Sequence, residues 1–126
     1  MHSELFSLVK TGNVDQVLSH VRSSCIDVSQ VIDEAKNFYQ TLVFSACTIK
    51  NADVALQMTK VLTELGANPA REDSLKQTPL FYASREGHIE LINFLCKERG
   101  DQVNRQDKYG QTALYYAARE GHIKVV

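Results

Sequence analysis

Three cysteines, Cys25, Cys47 and Cys96, are all the sequence has among its 126 residues. They are too few and too scattered for a disulfide framework or a four-ligand zinc site, because any pairing leaves one thiol over. Reduced thiols in a cytoplasmic or nuclear protein are the expectation. Long apolar runs are also missing. No stretch approaches 18 apolar residues, so no membrane span and no membrane partner are expected. The opening MHSELFSLVKTGNVDQV has no long apolar run behind a basic start, so it is not expected to be a signal peptide. Charge of one sign is lacking too: 14 basic residues stand against 15 acidic ones, a net charge of −1. Residues 1–50 carry four basic and five acidic groups, and residues 51–126 carry ten of each. A basic tail or acidic arm is thereby excluded, and nucleic acid is not an expected partner. The six glycines are dispersed and form no phosphate-cradling loop. The sequence also contains no nucleophile elbow, no H-E-x-x-H and no EF-hand loop. Catalytic residues, cofactors, metals and a small-molecule substrate are therefore all expected to be absent.

What the chain does have is a repeat. The length fits one domain, but QTPLFYASREGHIELI from Gln77 returns 34 residues later as QTALYYAAREGHIKVV from Gln111, identical at 10 of 16 positions. In the first copy, Thr78 is placed to cap a helix through its hydroxyl, and Pro79 suits the first helical position because its missing N–H costs nothing there. Gly87 ends that helix in the left-handed conformation. A second helix starts near Ile89, with Leu91, Ile92, Leu95 and Cys96 at spacings of three and four. Gly100 ends it, and a polar loop of hairpin-like shape leads to Thr112, where the pattern restarts. The faces of such a helix pair are too apolar to stand alone and are buried by stacking on copies of the same unit, with small Ala83, Ala117 and Ala118 allowing close approach.

The stretches TPLFYASREGHIELINFLC and DKYGQTALYYAAREGH, together with Val103-Asn104, resemble ankyrin repeats, whose T-P-L-x-x-A core followed by G-H the first carries in full and the second with Ala113 in place of Pro. Upstream, Leu65-Gly66-Ala67-Asn68 is similar to the end of such a repeat, and Thr41-Leu42-Val43-Phe44-Ser45-Ala46-Cys47 to an opening with Leu42 in place of Pro. The expected architecture is an all-α ankyrin-repeat solenoid of about four units. A degenerate capping unit with an irregular connection occupies 1–36. A repeat with an insertion, expected at Ile49–Asp53, occupies 37–72. A regular repeat fills 73–106 and a truncated one 107–126. Val28, Val31, Ile32 and Ala35 are expected to add a helical turn within 23–40. Leu114, Ile123 and Val126 are expected to leave a sticky end on an otherwise monomeric chain, which light scattering at high concentration would register as self-association.

The resemblance implies a non-catalytic protein–protein interaction module that displays a rigid concave surface. The alternative is the N-terminal regulatory or substrate-recruiting region of a larger enzyme. The implied partner surface comprises the finger residues Leu75, Gln77, Lys108, Tyr109 and Gln111 and the repeated helix-end pairs Arg85-Glu86 and Arg119-Glu120. Phe38 takes the corresponding role in the preceding unit. Tyr109 leads the set, since Tyr and Arg are enriched at binding hot spots. Tyr82 and Tyr116 are expected to be structural, and Cys47 and Cys96 to be core thiols. His88 and His122 are expected at helix starts, each bonding a neighbouring turn. Phe81 and Tyr115 stand where the family often has His, which takes a polar side chain out of the opening turn. Lys76 stands where the next finger has Gly110, so a different turn is expected in the first finger.

Overall fold

The computed structural model describes residues 3–24, 32–33, 40–98 and 104–122. The helices are α1 (Ser3–Thr11), α2 (Val14–Ser24), α3 (Leu42–Cys47), α4 (Ala52–Glu64), α5 (Pro79–Glu86), α6 (Ile89–Glu98) and α7 (Ala113–Arg119). They pair in sequence: α1 packs on α2, α3 on α4 and α5 on α6. The first helix of each pair also packs on the next first helix, giving a row α1–α3–α5–α7, and the second helices form a parallel row α2–α4–α6. One apolar core threads both rows. Leu5, Val9 and Val17 fill its beginning, Leu42, Met58 and Leu62 its middle, and Leu80, Phe81, Leu91 and Leu95 its later portion, all fully or almost fully buried. Ala83 and Ala117 lie in the helix contacts as expected, whereas Ala118 is exposed.

The first helices are short because the sequence stops them on both sides. Pro79 opens α5 and Gly87 closes it at φ 74°. Thr78 holds the N-cap position at φ −111° and ψ 170°, but its hydroxyl makes no capping bond; it is buried without a hydrogen-bond partner among the described residues. The fully buried ring of Phe81, standing where the family often has His, offers it no polar group. Thr112 behaves as expected, its hydroxyl accepting from the Tyr115 N–H at 3.3 Å.

The second helices start on two kinds of residue. Asn13 accepts from the Gln16 N–H at 3.0 Å, and Asn51 from the N–H groups of Asp53 and Val54 at 3.0 and 3.2 Å. His88 stands at the corresponding place before α6, and His122 at the same position of the sequence repeat. Their Nε2–H groups reach the backbone of the preceding pair, donating to the carbonyls of Ile49 at 2.7 Å and Arg85 at 2.8 Å.

This register relocates the insertion. Thr41 to Asn51 spans the same number of residues as Thr78 to His88, so nothing is inserted at Ile49–Asp53. The extra residues lengthen the second helix instead. α4 has 13 residues against 10 in α6, because a strong Asn cap fixes its start and the stop at Gly66, φ 109°, comes late. A second correction concerns the connection. Ile32 joins no helical turn, since Ile32–Asp33 (β1) pairs antiparallel with Gln40–Thr41 (β2), Ile32 opposite Thr41. The β-branched Ile suits an extended backbone better than a helix. Phe38, Val28, Val31 and Ala35 lie outside the described residues, as do Ile123 and Val126.

The glycines after the first helices contribute to the stacking. A Cβ on Gly87 would fall 2.6 Å from the His122 ring, and one on Gly12 would fall 2.7 Å from Val54 Cγ1. Each glycine is thus covered by a side chain of the following pair. Gly121 has the same left-handed conformation, φ 80°, with open space around it. Gly121→Ala should therefore cost only the left-handed penalty of about 1 kcal/mol. Gly87→Ala should cost at least about 1 kcal/mol more, since it also displaces His122 from its carbonyl. Urea unfolding of the two variants checks this, and equal midpoints would contradict it.

Candidate interaction surface

Two finger loops project between the pairs, and an aspartate builds each. In the first, Asp73 Oδ1 accepts from the N–H groups of Leu75 and Gln77 at 2.9 and 3.0 Å. In the second, Asp107 Oδ1 accepts from Tyr109 and Gln111 at the same two distances. Backbone bonds close both loops in the same register, Asp73 with Gln77 and Lys76, Asp107 with Gln111 and Gly110. The Lys108 N–H donates to the Leu75 carbonyl at 2.8 Å and ties one finger to the next. The expectation of a different first turn is corrected here. Lys76 takes φ 60° where Gly110 has φ 76°, so the aspartate's two bonds hold a non-glycine residue in the same left-handed turn.

Asp107 also ties the fingers to the helices. Its Oδ2 accepts from the Tyr116 hydroxyl and from Gln77 Nε2, the latter at 2.9 Å. Burial would raise this carboxyl, but the bonds from Tyr116, the Gln111 N–H, Gln77 and the Tyr109 N–H outweigh burial and hold it below the ordinary carboxylate value. Burial, the bond to Asp107 and the charge of Asp107 raise the Tyr116 phenol, with Arg85 and Arg119 partly opposing.

Tyr116 is also one rung of a column that crosses the helix row. The Phe44 ring meets Tyr82 edge-on at 5.4 Å. The Arg85 guanidinium lies 4.7 Å from the centre of the Tyr82 ring and 4.5 Å from that of Tyr116, and the Arg119 guanidinium lies 5.0 Å from the Tyr116 centre. After the ring pair Phe44–Tyr82, rings and cations alternate from Tyr82 to Arg119, each guanidinium contact adding cation–π attraction.

The candidate residues separate on this frame. Gln77 is only 3% exposed and belongs to the interior network, which corrects its placement on the partner face: its amide is used up on Asp107, on Tyr116 at 3.3 Å and on Arg85. Arg85 is half-buried between its two rings, and Glu86 is half-buried and paired with Lys50 at 3.0 Å. Leu75 and Gln111 are half-buried. Lys108, Arg119 and Glu120 are exposed, the last two paired at 3.5 Å. Tyr109, at the second finger tip, is 64% exposed. Tyr82 and Tyr116 have the structural roles expected of them. Leu114 and Tyr115, 47% and 44% exposed, add apolar surface on α7. Sequence reasoning passed over Asp73 and Asp107. The signal was present: an aspartate four residues before each finger glutamine, at the same 34-residue offset as the repeat.

Paired helices stacked in rows, with polar fingers at one edge, define a helical repeat solenoid. The family model described as ankyrin repeats (3 copies) matches residues 8–107 and 46–126. The chain belongs to the ankyrin-repeat family. Members of this family are generally protein–protein interaction modules and typically non-catalytic. No curated protein matches the chain.

Two outcomes are expected for the fingers. Lys76→Gly should raise stability by about 0.5–1 kcal/mol by removing the left-handed penalty, read as a higher urea midpoint. Asp107→Asn should lower stability by about 2 kcal/mol at neutral pH, since it weakens charge-assisted bonds. Because the folded carboxyl titrates below the unfolded one, the contribution of Asp107 is complete above about pH 4 and is lost as pH falls through the folded value. The gap between variant and wild type should therefore shrink at about pH 3, and a gap that stays constant would contradict the assignment.

Proposed function

We propose that this chain is a non-catalytic protein–protein interaction module of the cytoplasm or nucleus. It binds its partner through the fingertips and the adjoining ends of the first helices. One observation carries the reading. Tyr109 stands out into solvent from a turn whose backbone is fixed by the Asp107 carboxylate and by the bond from the Lys108 N–H to Leu75. A large amphipathic side chain on a pre-organised loop loses little entropy on binding, and Tyr is among the residues that dominate binding energy. Lys108, Arg119 and Glu120 are also exposed, and Leu75, Glu86 and Gln111 are half-buried.

Among the described residues, two thiols and two imidazoles that could do chemistry have other roles. Burial pushes the Cys47 thiol up to about 12 and also raises Cys96, so both stay protonated. The imidazoles of His88 and His122 are engaged by backbone carbonyls.

The test is capture of a partner from cell extract by the chain and by a Tyr109→Ala, Arg119→Ala variant. The variant should retain at least about tenfold less partner with an unchanged circular dichroism spectrum. Arg85 is left intact because it supports the column. Equal retention by both forms would place the binding surface elsewhere.

A further inference from the structure

The finger and first-helix side of the molecule carries an imbalance that the net charge hides. Among the described side chains of that surface, Glu72, Glu86 and Glu120 each already have a cation: Arg105 at 2.9 Å, Lys50 at 3.0 Å and Arg119 at 3.5 Å. The finger aspartates are buried: Asp73 accepts two backbone N–H groups, and both oxygens of Asp107 are occupied by N–H and O–H donors. Among the described residues of the fingers and the adjoining end of α5, four cations remain without a carboxylate: Arg71, Lys76, Arg85 and Lys108. They are contiguous. Arg71 and Lys76 belong to the first finger. Lys108 sits in the second, bonded to the first through Leu75. Arg85 reaches the base of the first finger through Gln77 at 3.4 Å.

We infer that this surface takes an acidic segment of a partner protein, in which Asp or Glu side chains meet Arg71, Lys76, Lys108 and Arg85 while an apolar residue packs on Tyr109. The inference rests on the interaction-module reading and names the chemistry of its partner. The geometry of Arg85 supports a carboxylate. Its guanidinium lies against the Tyr82 and Tyr116 rings and bonds Gln77, contacts that fix its charge at the base of the first finger without neutralising it. Peptide is favoured over nucleic acid because four cations in a chain of net charge −1 are far from the basic stripe that phosphate backbones need.

The probes are a fluorescein-labelled decapeptide of Glu residues with a central Phe, the same peptide with Gln for Glu, and a labelled decathymidylate. Anisotropy is read at about 50 and 300 mM salt, where screening separates the two regimes. The Glu peptide should bind the chain, more weakly at high salt, and the Gln peptide should bind at least tenfold more weakly. Arg71→Glu with Lys108→Glu should weaken Glu-peptide binding at least tenfold. Lys60→Glu with Lys97→Glu, the same charge change on the second helices α4 and α6, should alter it less than twofold. Equal binding of both peptides overturns the inference, as does equal weakening by both charge variants. Decathymidylate binding as tightly as the Glu peptide would overturn it too, in favour of a general polyanion surface. Failure of the Glu peptide while extract partner is still lost with the Tyr109 and Arg119 variant would refute the acidic chemistry alone. Failure of both would remove the interaction-module reading itself.

Discussion

A finger aspartate with both oxygens occupied is the constraint on which this molecule depends. One oxygen of Asp107 closes its own loop by accepting two backbone N–H groups, and the other receives Tyr116 from the next first helix and Gln77 from the preceding finger. A loop of polar residues would otherwise sample many conformations, at a cost of about 1 kcal/mol or more per residue fixed. Here a single carboxylate sets the loop, its register against its neighbour and its position against the helices. The exposed Tyr109 inherits its fixed place from that bond set. The two functions of the region, holding the stack and presenting a surface, therefore divide along the chain direction: Asp73, Gln77 and Asp107 face in, and Arg71, Lys76, Lys108 and Tyr109 face out.

Much of this is legible in the residues alone. The T-P-L opening, the Gly-His turn and the apolar spacing of Leu91, Ile92 and Leu95 specify the helix pair, because each is a local signal with a local cause. The repeated histidines imply a bond to a neighbouring turn, and both reach across to one. Cys47 is a core thiol and Tyr109 is exposed, as their contexts imply. The departures share a cause as well. Glutamine is usually a surface residue, which puts Gln77 outside, yet its amide is consumed by groups 30 and 39 residues away. Local propensity disfavours a left-handed lysine and so implies a changed turn at Lys76, but the side chain of Asp73 overrides that preference. IKNAD looks unlike Gly-His and so suggests an insertion. An asparagine cap replaces that turn by other bonds, and the surplus residues lengthen α4. Long-range hydrogen bonds have no periodic signature, and a repeat with one altered turn does not reveal in sequence where its register recovers.

The cation–π column is a structural element in its own right, because it replaces apolar packing where solvent reaches the row. Arg85 and Arg119 lie against the ring of Tyr116, and Arg85 also lies against that of Tyr82. Guanidinium groups are weakly hydrated and stack without giving up all of their donors. A row built this way can close its seam and still offer charge to an arriving ligand, which a seam of leucines could not.

The change from asparagine to histidine at the starts of the second helices has a consequence for how the array comes apart. Asn13 and Asn51 satisfy their own helices, whereas His88 and His122 each bind a carbonyl of the pair before them. In a linear chain of modules, cooperativity is set by nearest-neighbour coupling rather than by the strength of any one module. The later junctions carry an extra polar latch and the first does not among the described residues. The melting of this protein is thereby given a direction: the amino-terminal pair is free to fray as a separate step, while the two fingers sit between junctions that must open together.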